Sequence, residues 1–268
     1  MPTLPAERPE PHRHRQIAES FGVDAQRYDR ARPRYPDELI AAVLSASPGR
    51  DFLDVGCGTG IAARQLRAAG ATVLGVEPDA RMAGFAGTAG GAGVEVEVAT
   101  FEDWEPAGRT FDAIVSGQAW HWVDPQAGAA KVQEVLRPGG LFALFWHLFL
   151  PPQDIADAFG AAFRQAVPAS PIPVPAGRNP GREAFRPVVD KTAAALQGFT
   201  GFERHHYDWQ CDYTRDEYLD LLPTQGGLTR VPAAGQASVL AAVGEAIDAR
   251  GGRFTCDYTT VLCTASRT

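Results

Sequence analysis

DFLDVGCGTG, running from Asp51 to Gly60, is a short apolar run that breaks into glycines at positions 56, 58 and 60. The helical pattern of Ile61 to Ala69 follows and Gly70 closes it, so the segment reads as strand, tight bend and helix. Glycines let a backbone pass close to a ligand, and the free N–H groups of a helix N-terminus face the same place. A dinucleotide-binding bend wants GxGxxG around a diphosphate, whereas the spacing here is GxGxG. Asp54 stands in the strand just before the bend. A carboxylate there repels a diphosphate and attracts a sulfonium or ammonium ligand. Glu77 ends the next strand, about 20 residues beyond the glycines, where an acid grips ribose hydroxyls. A dinucleotide binder shares that feature, so Glu77 alone does not discriminate.

Further strands follow outward from this bend. Thr72 to Val76 is a buried strand, and Asp79 caps the helix that contains Met82. Val94 to Val98 alternates valine with glutamate, the mark of a strand with one wet face near a sheet edge. Phe111 to Ser116 and the very apolar Leu141 to Trp146 are strands as well. Between them lie a helix from Asp124-Pro125 to Leu136 and a turn at Arg137-Pro138-Gly139-Gly140. Upstream, Pro33 and Pro36 interrupt the segment YDRARPRYP, and Pro36 opens a helix over Asp37 to Leu44. Strands alternating with helices predict an α/β fold, a doubly wound, mostly parallel sheet. After Phe149 the pattern changes. Pro168 to Gly181 is loop-like, Glu203 to Tyr213 is a strand, and Thr214 to Glu217 is a capping box. A helix from Ala233 to Ala249 and a final strand from Phe254 to Ala265 complete the chain. The expected division is a disordered tail over 1–15, a Rossmann-like core over 16–150, a helical and loop cover over 151–200, and the last strands with intervening cover helices over 201–268.

The composition narrows the function. The chain has 268 residues with 45% hydrophobic and 21% charged, ordinary for a globular protein. Its net charge is -7, which argues against a nucleic-acid partner, since such binding needs a basic footprint. No stretch is apolar enough to span a membrane and the N-terminus lacks the apolar core of a secretory signal, so a membrane role is not expected. The four cysteines show no CxxC spacing, and arginines interleave His12 and His14, so no metal site is expected and a reducing cytoplasm fits best. High glycine and proline contents with only two lysines, Lys131 and Lys191, hint at a GC-rich bacterial genome.

DVGCGTG, VEPDARM, the FEDW segment, FDAIVSGQAWHW and LRPGG occur in that order. Together they resemble the class I S-adenosylmethionine-dependent methyltransferases. YDRARPRYP and QAWHW resemble their small-molecule subgroup, the methyltransferase type 11 enzymes that include trans-aconitate methyltransferase-like proteins. The resemblance is strong from Tyr28 to about Phe145 and weak beyond it. It implies a Rossmann-like sheet of seven strands with an antiparallel last strand, and S-adenosylmethionine as cofactor.

The resemblance also implies residue roles. Asp54, Gly56, Gly58 and Gly60 form the floor under the methionine part, with Thr59 in the same turn. Glu77 takes the ribose hydroxyls and Pro78 lies beside the adenine. Phe101 and Glu102 hold the adenine edge; many relatives carry an acid at the position of Thr100, so Glu102 is the candidate substitute. Ser116 and Gln118 end the fourth strand beneath the sulfonium. Tyr28 and Arg32 meet the cofactor carboxylate, a task that suits the permanently charged, forked arginine.

For the acceptor, Trp120, Trp122, Trp146 and His147 gather at the carboxyl ends of the strands, where open α/β sheets bind ligands. His121 is the candidate general base, since its pKa class suits neutral pH; bracing the loop is its alternative role. The expected activity is methylation of a small molecule at O, N or C. Its rivals are a protein, peptide or tRNA methyltransferase, a NAD-binding oxidoreductase, and a noncatalytic cofactor-binding module. The acceptor and the oligomeric state are not legible.

Overall fold

The computed structural model describes residues 12, 19–89, 93–167, 185–229 and 231–268. The expected tail over 1–15, apart from His12, and the expected loop from Pro168 to Gly181 lie outside the described residues.

Seven strands form one sheet: β1 Asp51–Val55, β2 Thr72–Val76, β3 Glu95–Glu97, β4 Phe111–Gly117, β5 Leu136–Leu150, β6 Phe199–Thr214 and β7 Arg253–Arg267. Their spatial order is β3-β2-β1-β4-β5-β7-β6. Pairings among β1 to β5 are parallel, and β7 runs antiparallel between β5 and β6. The chain therefore starts at the sheet centre, winds out to β3, and returns past β1 to build the other half. That reversal opens a crevice at the carboxyl ends of β1 and β4, where such sheets bind ligands.

The helices are α1 Ala25–Ala31, α2 Asp37–Ala46, α3 Ile61–Ala68, α4 Ala80–Thr88, α5 Pro125–Val135, α6 Gln153–Ala166, α7 Arg186–Ala195, α8 Arg215–Leu221 and α9 Ala233–Asp248. Capping explains several boundaries. Asp79 accepts from the Arg81 N–H and Asp124 from those of Gln126 and Ala127, satisfying donors that a helix start leaves free. Thr214 and Glu217 make the reciprocal capping box of α8.

Three apolar clusters hold the layers together. Leu39, Val43 and Leu66 of α2 and α3 pack on Phe52, Ala113 and Phe145 on one face of the sheet. On the other face, Val132 of α5 packs with Leu53, Ile114, Leu144 and Trp146. Beyond the parallel core, α6, α8 and α9 bury the outer reaches of β6 and β7 around Tyr213, Phe254 and Tyr258.

One local difference from the sequence reading has a physical cause. Arg137 to Gly140 do not turn back out of the sheet but lie within β5, and the pairing slips from Phe111 opposite Leu136 to Ala113 opposite Leu141. Such an irregularity absorbs extra residues without ending the strand. Helix α6 lies in the stretch expected to be helical and loop cover, and its Ile155 and Phe163 are buried.

Candidate functional site

The bend after β1 is built on left-handed backbone. Gly56, Gly58 and Gly60 have φ of 66°, 57° and 82°. At Gly56 a Cβ would lie 2.4 Å from the Ala119 Cβ, so only glycine fits both the angle and the space. The N–H groups of Gly56 and Cys57 donate to the Val76 carbonyl, which ties the bend to the end of β2. Cys57 is buried, with its Sγ in the space above Gly75, and burial pushes its thiol up.

Glu77 leaves the end of β2 into this bend. Its Oε2 accepts the Gly58 N–H and its Oε1 the Asp79 N–H, each at 2.9 Å. Asp54 is 1% exposed, and its Oδ2 has no partner. Burial, and then the charge of Glu77, raise Asp54 to about 7, against a lowering by the Ala63 N–H. Burial likewise raises Glu77 to about 7, although the N–H groups of Asp79 and Gly58 pull it down. Two buried acids with little compensating charge make a place that favours a cation or a set of hydroxyl donors.

A cleft with about 810 Å³ of space free of atoms, open to solvent, lies over the bend. Tyr28, Gly56, Gly58, Glu77, Pro78, Phe101, Glu102, Gln118 and Trp122 line it, so the structure brings these expected site residues together. Glu102 is also committed elsewhere, since its Oε1 accepts the Asp124 N–H at 2.8 Å. Gln118 has φ of 60°, a left-handed angle that a side chain adopts at a cost, and its N–H donates to the Phe145 carbonyl. The sequence reading missed Phe21, Met82 and Val123, which also line the cleft. Phe21 packs near its neighbour Tyr28 and near Trp122, and the latter is a contact between distant parts of the chain that no local pattern announces.

Other expected residues stand behind the cleft wall. Ser116 is fully buried and its hydroxyl donates to the Val55 carbonyl, so it braces β4 against β1 instead of meeting a ligand. Thr59 is buried; Arg64, Arg34 and Thr59 together hold Asp29 below the usual range against the rise that burial causes. Gly60 starts α3 behind the bend, near Ala86. Trp120 is 1% exposed, donates its indole N–H to Thr192 Oγ1 at 2.8 Å and packs on Phe101 and Phe142; it is core, not a substrate wall. Trp146 is fully buried and stacks on Phe185 at 5.0 Å, again core. Its indole N–H donates to His121 Nδ1 at 3.3 Å.

That contact fixes the state of His121. An indole nitrogen is a donor only, so Nδ1 is the acceptor and the ring proton is on Nε2. Burial lowers the His121 pKa to about 4. The nitrogen left to meet a substrate is thus a donor, and the ring as placed is a brace, contrary to the expected general base. Arg32 lies over the Tyr28 ring at 4.8 Å and donates to the Thr224 carbonyl; His147 is buried, its ring stacked on Tyr35 at 4.6 Å. Among the described residues no group of three or more His, Cys, Asp or Glu could hold a metal, and none of the four cysteines is in a disulfide. Among the same residues no helix is long and apolar enough to cross a membrane.

The chain is similar to known proteins. A family model described as a methyltransferase domain matches residues 53–144, the stretch from β1 to β5 that builds the cleft. An uncharacterized methyltransferase of Mycobacterium bovis is 31% identical over 219 residues, covering 82% of each chain. A ubiquinone biosynthesis O-methyltransferase of Rhizobium leguminosarum is 35% identical over 103 residues, covering 36% of this chain and 41% of its own. A solved structure, assigned provisionally as a type II methyltransferase from Anaeromyxobacter dehalogenans, superposes with a TM-score of 0.62 at 23% identity over 87% of this chain and 97% of its own, a likeness of fold. With the Mycobacterium bovis relative 31% identical over 82% of each chain, and a methyltransferase domain matched over residues 53–144, this chain belongs to the methyltransferase family.

Proposed function

We propose that the protein transfers the methyl group of S-adenosylmethionine to a small molecule. The observation that carries the cofactor assignment is the pairing of Glu77 with the glycine bend beside an unpartnered, buried Asp54 oxygen. These residues fit the group: Glu77 would take the ribose hydroxyls, Asp54 and the bend the amino-acid part, and Pro78 and Phe101 the adenine. S-adenosylmethionine supplies an electrophilic methyl group, so the chain need not activate it. What the chain contributes is orientation and exclusion of water. Phe21, Tyr28 and Trp122 close the cleft with aromatic surface, and Gln118 is held in its unusual backbone state by the Phe145 carbonyl.

The same cleft argues for a small acceptor. The negative charge of the chain suits neither RNA nor DNA, and the helices α6, α8 and α9 pack on the outer reaches of β6 and β7. We assign the described residues of 151–200 and the helices between the last strands to a cover. Four cysteines outside any disulfide and bacterial relatives suit a reducing bacterial cytoplasm. The test is to incubate the protein with methyl-labelled S-adenosylmethionine and fractions of a bacterial lysate. Label in the low-mass fraction is expected; label confined to tRNA or protein would contradict the assignment.

A further inference from the structure

Two cysteines that do not line the cleft meet across the β6–β7 ladder. Cys211 of β6 stands directly opposite Cys256 of β7 in the antiparallel pairing. Opposed residues send their side chains to the same face, with Cα atoms about 4.5–5.5 Å apart. A disulfide spans Cα distances of about 4.4–6.8 Å, so the backbone as it stands can carry the bond. The register is regular here: Trp209 opposite Tyr258 and Tyr213 opposite Phe254 continue it on either side. By contrast, the ladders set Cys263 opposite Leu144 and Arg204, and Cys57 lies in the glycine bend over Gly75.

The neighbouring side chains draw the two thiols into one cluster. The hydroxyls of Tyr213 and Tyr258 share a hydrogen bond at 2.7 Å across the ladder. Cys211 lies within hydrogen-bond reach of Tyr213, and Cys256 within reach of Tyr258. Tyr218 and Phe254 pack against Tyr213 and against each other.

The thiols differ in access. Strand β6 is the edge of the sheet and Cys211 is half-buried on it, whereas Cys256 is fully buried, which pushes its thiol up to about 12. Cys211 is therefore the thiol that meets a reagent, and Cys256 the one that follows.

We propose that Cys211 and Cys256 are a reversible redox site, a dithiol that a small disulfide oxidises to a cross-strand disulfide. The Cys211 thiol gives its proton to solvent and attacks one sulfur of the oxidant. The oxidant's S–S bond breaks, one thiol leaves, and a mixed disulfide remains on Cys211. Cys256 then attacks the Cys211 sulfur and its proton goes to the second thiol as that departs. The two protein thiols are oxidised, and the small disulfide is reduced to two thiols. In a reducing compartment such a pair rests as the dithiol and closes only under oxidation. The site does not rest on the cofactor assignment.

Glutathione is the probe. The full-length, ligand-free protein is equilibrated without oxygen in a series of glutathione to glutathione disulfide ratios, then quenched in acid, alkylated under denaturing conditions and mapped by mass spectrometry. As the disulfide share rises, two of the four thiols should become unreactive together, with a bridge between the Cys211 and Cys256 peptides and a mass lower by two hydrogens. Dithiothreitol should restore both. Cys256→Ser should stop at a glutathione adduct on Cys211, and Cys211→Ser should leave Cys256 unmodified. If a serine variant does not fold, mapping of the unsubstituted protein decides alone. The proposal is overturned by an unsubstituted protein that stops at the Cys211 adduct or stays fully reduced in glutathione disulfide. It is overturned equally by a bridge that forms only after unfolding, or one that joins Cys57 or Cys263 as readily.

Discussion

The Gly58 main-chain N–H donates to Oε2 of Glu77 at 2.9 Å, so the bend after β1 and the acid after β2 hold one another in place. The Asp79 N–H fixes the other oxygen. Both carboxylate oxygens are thus aligned before any ligand arrives, and each keeps lone pairs for one. Pre-alignment of this kind removes ordering cost from binding.

Glu77→Ala should weaken S-adenosylhomocysteine binding by about 10- to 100-fold, the loss expected when hydrogen bonds to a charged group are removed. Asp54→Asn should weaken it too, because the amide keeps the shape and loses the charge. Isothermal titration of the two variants checks this. Unchanged affinity in both would remove these residues from the site.

The same acids predict a pH dependence of opposite sign for folding and for binding. Asp54 and Glu77 are raised to about 7 in the folded chain, while carboxylates of an unfolded chain titrate near ~4. Their contribution to stability is then fully present below about pH 4 and is lost as pH rises toward and through about 7. Melting of the ligand-free protein should show this fall, and Asp54→Asn should flatten it. Affinity for a cationic ligand should rise over the same range, because the ligand needs the ionised acids.

His121 should stay neutral down to about pH 4, by its 15N resonances. The rate of methyl transfer should then show no inflection near pH 6.5 that disappears in His121→Asn. Replacing His121 with phenylalanine should cost about 1–3 kcal/mol of stability by stranding the buried Trp146 N–H. A rate inflection abolished by His121→Asn would restore the histidine as a base.

Gly56→Ala and Gly139→Ala offer a matched comparison. Both positions have left-handed φ, 66° and 76°, but a Cβ at Gly139 meets nothing within 4 Å, whereas one at Gly56 meets Ala119 at 2.4 Å. Gly139→Ala should cost about 1–2 kcal/mol from the backbone alone. Gly56→Ala should cost more in chemical denaturation and should also weaken S-adenosylhomocysteine binding.

Local signals made the core of this site legible. The apolar strand, the GxGxG bend, the acid before it and the acid ending β2 lie within 51–77, and their order in the chain is their order in space. Caps at Asp79, Asp124 and Thr214 were readable for the same reason. Misplaced residues depend on which sheet face is covered by something distant. Trp120 is sealed by Thr192, 72 positions away. Trp146 and His147 are neighbours on β5, yet the alternation of a strand sends one to the α5 face and the other to Tyr35. Nothing between residues 111 and 150 states which face is which.

Calorimetric titration of the purified protein with S-adenosylhomocysteine and, separately, with NAD tests the electrostatic basis of the site most directly. Saturable binding of S-adenosylhomocysteine, with no heat from NAD, is the expected result. Binding of NAD that is displaced by neither S-adenosylhomocysteine nor S-adenosylmethionine would contradict it.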